Sequence, residues 1–149
     1  MALTSNITIN DVTTSIEISQ NGNDIVHLDF NRDTFLIDIN TQSSFDIDIE
    51  EFTTGIQVTD LWFRRIAKIP LVGFVRPFNC EFKRNLTSNK IEGLFEFLGF
   101  TGVFSHEFDE DTGILSVDIQ PSVTVSPAEF SIIFGLFRDT LMVAKFPRS

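Results

Sequence analysis

Apolar and polar residues alternate through the first fifty positions. Ile16 and Ile18, then Val26, Leu28 and Phe30, then Phe35, Ile37 and Ile39, then Phe45, Ile47 and Ile49 recur at every second place, with Asn, Asp, Gly and Ser between the runs. A period of two places each run on one face of a strand. The turn at Asn21-Gly22-Asn23 tests the register. A two-residue loop would set Ile16 opposite His27 and Glu17 opposite Val26. A three-residue loop sets Ile18 opposite Val26, Ile16 opposite Leu28 and Thr14 opposite Phe30. A one-residue slip exchanges faces, so the second register, which keeps one face apolar, is predicted. The turn at Asn31–Thr34 then sets Phe30 with Phe35, Leu28 with Ile37 and Val26 with Ile39. The loop Asn40–Ser44 sets Ile39 with Phe45, Ile37 with Ile47 and Phe35 with Ile49. The expectation is a four-stranded antiparallel meander with a single apolar face, to which residues 4–10 add an edge strand.

The pattern changes at Asp60. Trp62, Phe63, Ile66 and Ala67 share one side of a predicted helix over Asp60–Ile69, with Arg64 and Lys68 on the other, and Pro70 stops it. Phe78–Arg84 reads as a strand with Phe78, Cys80 and Phe82 on one apolar face. A second helix is expected over Lys90–Leu98, capped by Asn89 with Glu92 at the capping-box position and ended by Gly99. A hairpin follows, with Phe104, His106 and Phe108 facing Ile119, Val117 and Leu115 across a turn at Asp109–Gly113. Ser126-Pro127-Ala128-Glu129 starts a last helix that runs to about Lys145, with Pro147 beyond it. Phe130, Phe134, Phe137 and Leu141 form its stripe, which Ile132, Ile133, Leu136 and Val143 widen until most of the circumference is apolar. Such a helix is buried on more than one side or has a partner outside the chain. The fold class is α+β: a strand-rich N-terminal half packed with helices, then a strand–helix–hairpin–helix unit, in one domain over residues 1–149.

Composition sharpens this picture. The chain holds 17 Phe and no Tyr. A buried Tyr needs a partner for its hydroxyl and Phe does not, so the aromatic surface is a dry one: core, cavity wall or interface. The net charge of −10 argues against nucleic acid, which requires basic stripes. Residues 1–60 carry eleven acids and one base, whereas residues 61–100 carry seven bases and three acids. One cysteine, Cys80, precludes a disulfide within the chain and favours a reducing compartment. Met1–Asn6 has neither a basic nor an apolar leader region, and the most apolar stretch, Ile69–Val75, is far shorter than the ~20 residues of a membrane-spanning helix. These features predict a cytoplasmic or intracellular protein without a transmembrane segment.

Four places in the chain merit consideration as chemistry. The expected registers bring Glu17, His27, Asp38 and Asp46 into one row across four strands, with Asp29 and Asp48 in the next; imidazole and carboxylates in such a row would suit a divalent metal. Acids on the solvent side of an antiparallel sheet are also ordinary. Asp109-Glu110-Asp111-Thr112-Gly113 resembles the start of a calcium loop but lacks its later ligands, and reads as a turn. Over Leu61–Phe78, the apolar Trp62, Phe63, Ile66 and Phe74 are interleaved with Arg64, Arg65 and Lys68, a composition that suits a membrane surface or a core segment facing the acidic sheet. Cys80 and His106 would make a nucleophilic dyad only if their strands were neighbours. No phosphate-binding glycine loop, nucleophile elbow or zinc-protease motif occurs. The favoured function is therefore a non-catalytic interaction or assembly protein without cofactor, binding a protein partner or itself. Its contacts are expected at Trp62, Phe63, Arg64, Arg65, Ile66, Lys68 and Phe74, and on the last helix at Phe130, Phe134 and Phe137. The runner-up is an apolar-ligand or lipid-surface module centred on Trp62–Phe78. A metal- or Cys/His-dependent enzyme is the third reading.

Overall fold

Asn21 and Gly22 take φ of 53° and 81°, the left-handed pair that a two-residue hairpin turn demands. Gln20 accordingly pairs with Asn23, yet Ile18 pairs with Val26, Ile16 with Leu28 and Thr14 with Phe30, as expected for the longer loop. A bulge reconciles the two. The register shifts between Ile18 and Ser19, so Ile25 is the extra residue, and it is buried. The short turn and the apolar face are thus both satisfied.

A computed structural model describes residues 3–42, 44–98, 103–119 and 122–145. It has two antiparallel five-stranded sheets and two helices among those residues. The first sheet is the meander β1 (Leu3–Ile9), β2 (Thr13–Gln20), β3 (Asn23–Asn31) and β4 (Leu36–Thr41), followed at its edge by β10 (Ser122–Val125). The second runs in the order β5-β9-β8-β7-β6, built from β5 (Ser44–Asp48), β6 (Phe78–Asn85), β7 (Lys90–Phe97), β8 (Val103–Asp109) and β9 (Ile114–Ile119). Helix α1 (Ile49–Leu61) continues into a π-helical turn, Trp62–Ile66, and α2 is Pro127–Ala144. Each helix touches both sheets: α1 packs on β1, β5 and β9, and α2 on β4, β10 and β7. One core cluster draws on both sheets and both helices.

Four expectations are corrected. The strand at Phe45–Ile49 does not extend the meander; β5 pairs with β9, Phe45 opposite Val117 and Ile47 opposite Leu115, while β10 takes the place beside β4. Alternation fixes which way a side chain points but not which strand lies beside it. The β3–β4 register is displaced by two, with Phe30 opposite Ile37 and Leu28 opposite Ile39, because the four-residue turn lies one residue later, at Arg32–Phe35. The Asn31 side chain accepts the Asp33 and Thr34 N–H groups, and Phe35 turns at φ 61°. An even shift leaves both faces intact.

The expected helix over Lys90–Leu98 is strand β7. Ile91, Gly93, Phe95 and Phe97 are buried while the residues between them are half-buried, a period of two that the cap-like Asn89–Glu92 spacing obscured. Asn89 instead turns at φ 58° between β6 and β7, and Gly99 lies outside the described residues, as does Pro147. The middle helix starts eleven residues earlier than expected. Asp48 caps it through the Glu51 N–H at 2.8 Å, and Glu50 and Glu51 face its positive end. The weak helix formers Thr53, Thr54 and Gly55 hid that start. The edge strand at residues 4–10, the strand at Phe78–Arg84, the hairpin pairing of Phe104, His106 and Phe108, and the capping box of α2 all form as expected.

Candidate functional site

The N-terminus of α2 organises the most unusual surface. Ser126 caps the helix by accepting the Glu129 N–H at 3.1 Å, and the Glu129 carboxylate returns to the Ser126 N–H at 3.0 Å. The same carboxylate, fully buried, accepts the Arg76 Nε at 2.9 Å, a second guanidinium nitrogen at 2.9 Å and the Arg76 backbone N–H at 2.9 Å. Arg76 also donates to the Thr124 carbonyl and lies 4.2 Å from the centroid of the Phe97 ring. Burial pushes the Glu129 carboxyl up, but the Arg76 and Ser126 hydrogen bonds and the Arg76 charge outweigh it and hold the group below its ordinary range.

This clasp fixes the segment that precedes it. The Ala128 N–H donates to the Val72 carbonyl at 3.1 Å, and the Ser126 hydroxyl donates to the Phe74 carbonyl. Gly73 turns at φ 116°, and a Cβ there would sit 2.8 Å from Ser126 Cβ, so only glycine fits. Leu71 (63%), Val72 (51%), Phe74 (52%) and Val75 (47%) are therefore exposed on a backbone tied at three points. Arg64, Arg65 and Lys68 are exposed nearby in sequence.

The other expected contact residues lie elsewhere. Trp62 and Phe63 are buried, Ile66 is half-buried, and the Phe63 and Phe130 rings stack at 5.0 Å. Their burial follows from the π-helical turn: the Ala67 N–H reaches the Trp62 carbonyl, and Lys68 at φ 51° lets the Ile69 N–H return to Phe63. Phe130 is buried, and Phe134 and Phe137 are half-buried and packed against the core. Among the described phenylalanines only Phe74 and Phe82 are exposed, so the Phe excess mainly builds the interior.

That interior is not filled. A cavity of about 130 Å³ lies among Ile18, Ile25, Leu28 and Ile39 of the first sheet, Phe104, Leu115, Val117 and Ile119 of the second, and Phe52, Ile56, Phe130 and Ile133 of the helices. The lining is apolar except for Thr41 and Thr59, and the Thr41 hydroxyl is buried with no hydrogen-bond partner among the described residues.

The polar row of the first sheet differs from expectation. His27 pairs with Glu17 across the strands, and its ring nitrogens lie 3.4 Å from Glu17 and 3.0 Å from Asp29. Asp38 is opposite Asp29 rather than His27, and accepts the Thr124 hydroxyl at 2.6 Å. Asp46 is in the other sheet. Among the described residues no three His, Cys, Asp or Glu side chains converge as metal ligands would.

Cys80 and His106 are also kept apart. Strand β7 lies between β6 and β8, so the two residues are two strand spacings, about 10 Å, apart across the sheet and also two residues out of register, since Cys80 lies level with Phe104. Cys80 lies on the same face as its partner, buried Phe95, but is exposed because β6 is the edge strand; burial and then the Asp139 carboxylate push its thiol up. His106 is buried, stacks on Phe137 at 4.6 Å and meets the Thr140 hydroxyl at 2.6 Å through Nε2, while Nδ1 has no partner among the described residues. Burial lowers its pKa from 6.5 to about 4. The imidazole occupies the space above Gly93, where a Cβ would lie 2.3 Å from its Cε1.

No protein-family model, no curated protein and no solved structure matches this chain. No helix among the described residues is long and apolar enough to cross a membrane.

Proposed function

We propose that this chain is a non-catalytic protein-interaction or assembly module whose contact surface is the loop from Leu71 to Val75. The observation that carries the reading is rigid display of apolar side chains. A loop that exposes Leu71, Val72, Phe74 and Val75 while its backbone is bonded to Ser126, Ala128 and Glu129 has already lost the freedom that binding would otherwise remove. Apolar residues held in this way belong at the centre of an interface, and the basic residues Arg64, Arg65 and Lys68 suit its rim. The complementary partner is a protein presenting an apolar socket bordered by carboxylates. A second copy qualifies by charge, since the polar face of β2–β4 carries Glu17, Asp29 and Asp38.

The test is native mass spectrometry of the untagged protein from its own host, beside the Val72→Asp/Phe74→Asp variant. The expected result is a defined complex, either multiples of the 16.9 kDa chain or a complex with a second protein, that the variant loses while staying folded. A chain that remains monomeric and partner-free, or a complex indifferent to the two substitutions, overturns the reading. If the monomer binds anionic vesicles in a Phe74-dependent way, the lipid-surface reading replaces it.

A further inference from the structure

We propose that the cavity between the two sheets is a binding site for a small neutral apolar molecule, aromatic or branched aliphatic. This inference is independent of the loop surface, because the residues that line the cavity and those exposed on the loop do not overlap.

Two observations define the ligand. The first is size. An apolar cavity of ~150 Å³ accommodates benzene, and the present one is about 130 Å³. The second is charge. No Asp, Glu, Lys, Arg or His lines the space, so an ionised ligand would lose its hydration with nothing in exchange. Although Thr41 and Thr59 belong to the lining, neither hydroxyl presents polar surface to the space, so a polar group on the ligand would lose its hydration without a partner. The empty space also has a physical cost that close-packed interiors avoid, and occupancy removes it.

The experiment is a methyl NMR titration of the full chain with benzene and with phenol. Benzene is expected to give saturable shifts at Ile39, Leu115, Val117 and Ile133, and phenol is expected to bind more weakly because its hydroxyl would lose water without a partner. Ile133→Phe, which fills the space, is expected to weaken both probes by about tenfold or more. The milder Val26→Ile/Val117→Ile pair serves the same purpose if that variant fails to fold. Shifts that do not saturate, that fall on Leu71 to Val75 instead of the lining, or that persist unchanged in the filled variants overturn the proposal. Phenol binding as tight as benzene or tighter overturns the apolar character given to the ligand.

Discussion

The two halves of helix α2 are held by opposite chemistry. At its N-terminus a buried carboxylate, Glu129, is kept charged by the Arg76 side chain, two backbone N–H groups and the capping box. Two turns later a buried imidazole, His106, is kept neutral against Thr140 and Phe137. The difference lies in the neighbours. Glu129 has a cation within 2.9 Å, so ionisation is favoured despite burial, whereas His106 has only a hydroxyl and a ring and therefore loses its proton. The charged seam fixes the exposed loop, and the neutral seam seats the helix on the second sheet.

The largest expected effect breaks the charged seam. Arg76→Ala leaves the Glu129 carboxylate buried without its cation and is expected to destabilise the chain by about 4 kcal/mol in urea unfolding at pH 7. Glu129→Gln, which keeps a hydrogen-bonding shape and removes the charge, should cost less. Equal stability of Arg76→Ala and the parent would mean that the clasp contributes nothing.

The neutral seam is sharpened by pH. The unfolded chain binds a proton on His106 below about pH 6.5, and the folded chain binds it only near 4. Acid therefore favours the unfolded state across that window. The stability present above pH 6.5 should fall by about 3 kcal/mol as the pH drops to 4. Glu129 acts in the same direction but lower: its depressed carboxyl contributes stability above its ordinary value of 4.5, lost only as the pH falls further. Urea midpoints measured at several pH values should lose the upper part of the slope in His106→Gln and keep the lower part. A slope between pH 6.5 and 4 identical in parent and variant would remove His106 as its source.

These seams also show how far the sequence could be read. Alternation placed the β2–β3 register and the β8–β9 hairpin, because an odd-numbered error in either would have put Leu28 or Val117 in water. It could not show that β5 leaves the meander for β9, since Phe45 and Ile47 present the same face to either neighbour. The capping box at Ser126–Glu129 was legible, but the bond from Glu129 to Arg76, 53 residues away, has no local signal. Neither does the cavity, which is a mismatch of volumes between distant elements. Trp62 and Phe63 were placed among the contact residues because basic neighbours made the segment look amphipathic, yet the π-helical turn rotates both rings inward.

A smaller effect tests why His106 fits at all. Gly93 stands opposite His106 in β7, and its missing side chain is the space the imidazole fills. Gly93→Ala is expected to cost about 2 kcal/mol by displacing the ring from Thr140 and Phe137. His106→Ala alone also destabilises, by leaving a void. The double variant should be more stable than the sum of the two losses allows, because the new methyl no longer meets a ring. Strict additivity of the two substitutions in a double-mutant cycle would show that the close approach has no energetic consequence.

The smallest expected effect concerns the loop that the charged seam displays. Phe74 is half exposed, and its ring lies 5.5 Å from the Arg76 guanidinium without entering the core cluster. The backbone of the loop is held through the carbonyls of Val72 and Phe74 and the N–H of Arg76, none of which depends on the Phe74 side chain. Phe74→Asp should therefore change unfolding stability by no more than about 0.5 kcal/mol. A loss several times larger would mean that the ring supports the clasp, and that its exposure is a by-product of stability rather than a surface kept for a partner. A near-zero loss leaves binding as the property that Phe74 serves, and separates the seam that holds the loop from the residues the loop presents.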